Sequence, residues 1–370
     1  MSEKSSKQVM RISWGPQHPM SGQVRILIDT DGERVLNIIP DIGFTHRGIE
    51  KILENRNIVQ GVVPIERMVM VDTANIALSY VRAAEEILGI EPPKRAQYIR
   101  VIICEVCRIL SHLYGFGLAA EACGGYPAVF LWSTADREPF LDLMERITGT
   151  RWSYSFFVPG GVYADFPDKI KEKFLATLEY FEERLEAYRR AWFENKIFES
   201  RAKDVGILKP EDAIRLGAAG PNLRGSGVAL DVRKDEPYEV YDEIDFRVIT
   251  QPEGDSYARL MVRYLEMVES VKIIRQAIEN MPSGPYRKFV SPLKRLPKGE
   301  AYSRVETARG ELGVHMISDG GTKPYRIKIT SPTLRNLYVV SQMPKITEVL
   351  LADVPVILYS FDPWYLDADR

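Results

Sequence analysis

Residues 95–117 read RAQYIRVIICEVCRILSHLYGFG, a stretch with the spacing of one long helix whose two faces differ in chemistry. At about 100° per residue, Ile102, Ile103, Val106, Ile109, Leu110 and Leu113 fall together and predict a core face. Cys104, Glu105, Cys107, Arg108, Ser111 and His112 fall on the opposite side. Two thiols beside an arginine are a poor surface for bulk water, so this face is expected to look into a protein-lined cleft, with Arg108 and His112 facing it.

Around that helix the chain is ordinary in composition. Its 370 residues are 45% hydrophobic and 27% charged, enough for a sizeable core and two or three substructures. A formal net charge of −2, from 49 basic and 51 acidic residues, gives no electrostatic case for nucleic acid or an anionic membrane surface. No apolar run is read as a bilayer span and the N-terminus has no signal-peptide core, which makes the cytoplasm the default location. The three cysteines, Cys104, Cys107 and Cys123, exclude a disulfide scaffold and any self-contained four-cysteine metal site.

In chain order, VMRISW, QVRILID and RVLNIIP alternate as strands and open the protein with a small sheet. Between the first two, Gly15-Pro16-Gln17-His18-Pro19 is a loop whose prolines hold His18. FTHRGIEKI then enters a short helix that places Arg47 and Glu50 beside Gly48. Helical spacing is read over 66–88 and, after the turn at 124–127, to about 147; 166–199 reads as a long helix with an aromatic stripe, a core feature. Residues 216–238 form a glycine-rich loop without the flanking strand and helix of a phosphate cradle, so a partner surface is expected there. Helix 256–280 precedes strands at 304–307, 311–318 and 325–330, and VPVILYSF near the end reads as a short apolar strand. The expected architecture is α+β: an N-terminal α+β domain (1–62), a helical bundle with inserted loops (63–283), and a C-terminal β/extended segment (284–370) returning to the active-site cleft.

WGPQHP, FTHRGIEK, PIERM, PPKRAQYIRVI, RILSHL, VRKDEPY, VESVKIIRQAIE, ETARGELGVHMISDGGTKPYRIKI and DPWYLDADR resemble, in this order, the large subunit of energy-converting nickel–iron hydrogenases and the quinone-site subunit of respiratory complex I. The resemblance covers nearly the whole chain. It implies a hydrogenase-large-subunit-like fold, docked on a small iron–sulfur subunit above membrane-embedded partners. Hydrogenases of this family hold their metals with two C-x-x-C pairs, because soft thiolates suit nickel and iron. The matching positions here are Val69 and Asp72, then Trp364 and Asp367, so the resemblance implies no nickel–iron centre. The quinone branch uses a histidine and a tyrosine where this chain has Gly22 and Met70. What remains resembles a third branch, the large subunit of archaeal membrane-bound sulfane-sulfur (polysulfide) reductases.

That branch implies electrons passing from ferredoxin, through iron–sulfur clusters of other subunits, to the S–S bond of a polysulfide or trisulfide, coupled to ion translocation by a membrane arm. The implied partners are the small iron–sulfur subunit, other hydrophilic redox-module subunits, membrane-arm subunits and ferredoxin, with this chain peripheral on the cytoplasmic side of the membrane. The iron–sulfur cluster belongs to the small subunit; none is expected on this chain alone. Reductive S–S cleavage needs a cation for the developing anionic sulfur and a proton source. Arg67 and Arg47 are the candidates for the first, His18 and Glu50 for the second, with Arg108 or His112 depressing a nearby thiol. Cys104 and Cys107 have three readings: buried small residues, sulfur-handling thiols, or ligands to a partner's cluster. Two rival functions stand beside this one: reduction of a quinone-like or other small acceptor, and a non-catalytic scaffold with Trp364 plugging the former metal site and Cys104 buried.

Overall fold

In the computed structural model, which describes residues 9–18, 22–124 and 127–370, α4 (Lys94–Ala122) is the axis about which the helices pack. Pro19, the Gly125-Tyr126 part of the expected turn and the first eight residues lie outside the described chain. The N-terminal sheet comes first: β1 (Met10–Trp14), β2 (Arg25–Thr30) and β3 (Val35–Asp41), antiparallel in that order. Then follow α1 (Ile49–Leu53), α2 (Val62–Glu66), α3 (Thr73–Leu88), α4 and α5 (Pro127–Thr148). A two-residue hairpin, β4 (Phe157–Val158) and β5 (Gly161–Val162), leads to α6 (Asp168–Tyr188). Short helices α7 (Lys196–Ala202), α8 (Pro210–Arg215), α9 (Pro221–Arg224) and α10 (Val232–Asp235) precede the long α11 (Ser256–Asn280). The C-terminal sheet is β6 (Gly299–Thr307), β7 (Gly310–Ser318) and β8 (Arg326–Thr330), followed by α12 (Pro332–Ile346), α13 (Val354–Phe361) and α14 (Tyr365–Asp369).

The helix ends follow local chemistry. Asp255 caps α11 by accepting from the Ala258 amide at 2.7 Å, and Ser331 caps α12, where Pro332 supplies the first-turn φ. Gly89 ends α3 in the left-handed conformation, φ 62°. The helix read over 166–199 is interrupted: α6 passes into a π turn at Arg189–Phe193, and Asn195 caps a separate α7. Its stripe of Phe174, Leu178, Phe181, Leu185, Tyr188 and Trp192 is core, as read.

The larger core joins α3–α6, α11 and β6–β8. A second joins Val24, Ile26, Ile28 and Val35 of the N-terminal strands to Leu337, Val340, Ile357 and Phe361. The C-terminal helices therefore cover the first sheet, and Val35 donates from its backbone to Val349 at 2.9 Å. VPVILYSF is α13, not a strand. It packs against α4 and α11, where an eight-residue apolar run buried on several sides carries no periodicity to separate the two conformations. By length and composition α4 qualifies as a bilayer span, contrary to the sequence reading, yet 89% of its apolar window is buried inside the protein. It is a core helix.

Candidate functional site

The polar face of α4 does not line a cleft. Glu105, Arg108, Ser111 and His112 are each 0% exposed, because α11 and the end of β6 close over them. Glu105 accepts from Tyr241 and Ser270 hydroxyls, both at 2.6 Å, and from Arg233 at 3.0 Å. Burial pushes its carboxyl up, but Arg108 and Arg233 more than offset that and hold it below the usual range. Arg108 donates to the Thr307 and Glu306 carbonyls at 3.0 and 2.7 Å, which pins β6 to α4. His112 meets Glu266 at 3.0 Å; burial takes its pKa down to about 4, against the pull of Glu266, so the ring is neutral at pH 7.

Cys104 and Cys107 are buried free thiols in the same interior. Burial raises Cys104 far above the ordinary range, with Cys107 adding to it; Cys107 is pushed up to about 12 by burial and by Asp72. Exchange with an S–S bond requires a thiolate that substrate can reach. Neither condition is met here.

Of the four positions that the resemblance aligns with hydrogenase thiolates, three, Asp72, Trp364 and Asp367, lie around a residue that sequence reasoning left without a role. Arg309 donates to Ser111 Oγ at 2.9 Å, to the Asp362 carbonyl at 3.0 Å and to Asp362 Oδ1 at 3.1 Å. Its guanidinium stands 5.3 Å from the Trp364 ring centroid; burial raises both Asp72 and Asp367 above the ordinary carboxylate range, and Arg309 opposes that rise at each. Asp72 accepts from the Ala308 amide at 2.8 Å and from Asn75 at 2.6 Å, while Val69 is buried. Burial lifts Asp367 to about 6, against hydroxyl donors Thr333 and Ser331. Gly115 makes this possible: a Cβ there would stand 3.1 Å from the Asp362 carboxyl carbon. Valine, tryptophan and two carboxylates organised by an arginine do not fit a nickel–iron centre, which needs soft donors. Among the described residues no three His, Cys, Asp or Glu side chains form a metal-binding group.

The two positions that the resemblance aligns with the quinone-binding pair also carry residues of a different kind. Gly22 has φ +62°, a conformation that residues with a side chain rarely adopt, and a Cβ on it would crowd the Tyr365 ring at 3.2 Å. Met70 is 54% exposed and offers no hydrogen bond of a tyrosine's kind.

Two of the proposed polar residues do meet. The Arg47 guanidinium donates to the Arg67 and Met68 carbonyls at 3.0 and 3.2 Å. Both arginines, with Arg56, rim a groove of about 380 Å³ floored by Ile49, Ile52 and Val63. Glu50 stands apart: it accepts from the Ile329 amide at 3.0 Å, lies 3.4 Å from Lys328 Nζ, and lines a separate pocket with His46 and Arg370. His18 is an exposed loop residue whose ring packs edge-on against Trp14 at 5.4 Å. Arg309 and Asp362 were the residues missed, while Ser111 was read only as part of the polar face of α4. ETARGELG was the available signal, but it does not disclose partners about 200 residues earlier.

A family model described as respiratory-chain NADH dehydrogenase, 49 Kd subunit, matches residues 124–370, and one described as nickel-dependent hydrogenase matches 47–118. A subunit of the F(420)H(2) dehydrogenase of Methanosarcina mazei is 38% identical over 378 residues, covering 100% of both chains. A subunit of the NADH-quinone oxidoreductase of Desulforamulus reducens is 40% identical, covering 95% of each. A chain in the solved structure of the membrane-bound sulfane sulfur reductase, an archaeal respiratory membrane complex, superimposes with a TM-score of 0.93 at 36% identity, covering 99% of this chain and 100% of that one.

Proposed function

Because the chain belongs to the family of the respiratory-chain NADH dehydrogenase 49 kDa subunit, we propose that it is the acceptor-end large subunit of a membrane-bound complex that reduces sulfane sulfur. The observation that carries this reading is the loss of both familiar ligand sets from a fold that otherwise matches a sulfane sulfur reductase chain at a TM-score of 0.93. Thiolates are replaced at Val69, Asp72, Trp364 and Asp367, and the quinone-binding pair at Gly22 and Met70.

In this reading reduced ferredoxin is the donor, and an iron–sulfur cluster in the small subunit supplies the electrons at the acceptor. Two electrons and two protons convert one S–S bond into two S–H groups. The chain's own part is to bind and neutralise. Arg47 and Arg67 hold the departing sulfur anion at the groove they share. Glu50, in the first turn of α1, and His18, on its loop, relay protons. The buried cysteines take no covalent part. The complex sits on the cytoplasmic face and drives ion movement through its membrane arm.

A quinone-like acceptor is favoured by one observation, the 38–40% identity to the F(420)H(2) dehydrogenase and NADH-quinone oxidoreductase relatives. The buried Cys104 and the Trp364–Arg309 stack also fit a non-catalytic scaffold. Arg67→Ala and Arg47→Ala in the assembled complex test the proposal: each is expected to lower polysulfide turnover by roughly 10- to 100-fold, the worth of one lost hydrogen bond to a charged group, with the complex intact. Unchanged turnover in both would remove the groove from the mechanism.

A further inference from the structure

On the far side of α3, an open cleft of about 700 Å³ runs between the helix end, the 236–242 turn and β6. Six carboxylates line it, Glu85, Glu86, Glu91, Glu236, Glu239 and Asp242, against two guanidiniums, Arg82 and Arg304. Both arginines are engaged: Arg304 with Glu236, and Arg82 with the Arg304 carbonyl at 2.7 Å while it stacks on Tyr238 at 4.7 Å. Behind the wall, fully buried Arg100 serves two acids at once. It donates to both oxygens of Glu85, which also accepts from the Gly160 amide, and to Glu239 Oε1 at 3.1 Å. Glu239 Oε2 is buried and has no hydrogen-bond partner. The Glu239 side chain is only 3% exposed, and its backbone is held in the left-handed region, φ 52°, which a glutamate rarely adopts. An acceptor is thus held in place at unusual conformational cost and left with one oxygen unused.

We propose that this cleft binds a guanidinium or ammonium group, with Glu239 Oε2 as its innermost acceptor. A divalent cation needs six or more oxygens converging on one point, and among the described residues no such group of acids is present. A planar, forked cation instead suits acceptors spread along a wall. Tyr302, 48% exposed at the mouth, offers a ring face for stacking. The cation comes either from a basic side chain of a partner subunit or from a free amine.

Calorimetric titration of the full chain with agmatine tests this. Wild type is expected to bind in a salt-dependent way. Glu239→Gln should weaken binding about tenfold, the worth of one charge-assisted hydrogen bond, and Glu91→Gln with Asp242→Asn on the rim should weaken it less. The rim variant decides the matter if Glu239→Gln does not fold. Binding by the isolated chain but not by the assembled complex identifies a partner's side chain as the occupant; binding by both identifies a free amine. No binding by wild type, or the same affinity in both variants, overturns the proposal.

Discussion

Arg309 ties together segments that are far apart in the chain: Ser111 on α4, Asp362 at the end of α13, and Trp364 just beyond. Replacing it by methionine keeps much of the volume but strands a buried carboxylate and a hydroxyl. Arg309→Met is therefore expected to cost about 3–5 kcal/mol in urea unfolding; a loss under about 1 kcal/mol would mean that these contacts carry little of the fold. Asp367 makes a pH-dependent counterpart. Its folded pKa of about 6 lies above its ordinary value of 3.8, so its contribution is full below the ordinary value and is lost as pH rises through the folded one. Asp367→Asn should then raise the melting temperature at pH 8 and leave it unchanged at pH 4. An equal shift at both pH values would show that packing, not charge, is responsible. Arg309 was invisible in the sequence because a buried arginine's role is set by its partners. The sequence positions of Val69, Asp72, Trp364 and Asp367 were legible only through the resemblance.

Among the elements, α4 was read well in extent and less well in orientation. Periodicity separated its polar side from its apolar side, but both sides are buried, since the polar groups of one face are partnered by Arg233, Glu266 and Arg309 from elsewhere. Composition alone does not distinguish a cleft from an interior charge network. The placement of the thiols has a direct consequence. At pH 8 a disulfide reagent is expected to titrate none of the three cysteines in the native chain and all three in guanidinium; rapid native reaction would place a thiol at the surface. Cys104→Ala and Cys107→Ala should each cost about 1–2 kcal/mol for the cavity left and keep turnover within about twofold. Long amphipathic helices such as α11 were legible because many turns repeat one pattern, whereas α13 has barely two turns and its apolar residues do not alternate.

Across the molecule, the runs read from the sequence as strands near its start and after α11 fall on the two three-stranded sheets, β1–β3 and β6–β8. What it did not disclose is that the last segment turns helical and shares a core with the first sheet. Pairing of residues more than 300 positions apart has no local signature: the Gly43 and Thr45 amides donate to Asp369, both at 2.8 Å, and so place the chain's end beside the loop that carries Arg47. This closure brings the end of the chain to the pocket of His46 and Glu50, while Arg47 and Arg67 remain on the outer surface where a partner subunit can meet them. Acceptor choice in that setting belongs to the assembled complex. The most direct measurement is therefore to supply the purified parent complex with reduced ferredoxin and to offer polysulfide or dimethyl trisulfide, a short-chain quinone, and protons in turn, following ferredoxin oxidation. Turnover with the sulfur compounds alone is the predicted result. Turnover with the quinone, or evolution of hydrogen, would contradict it.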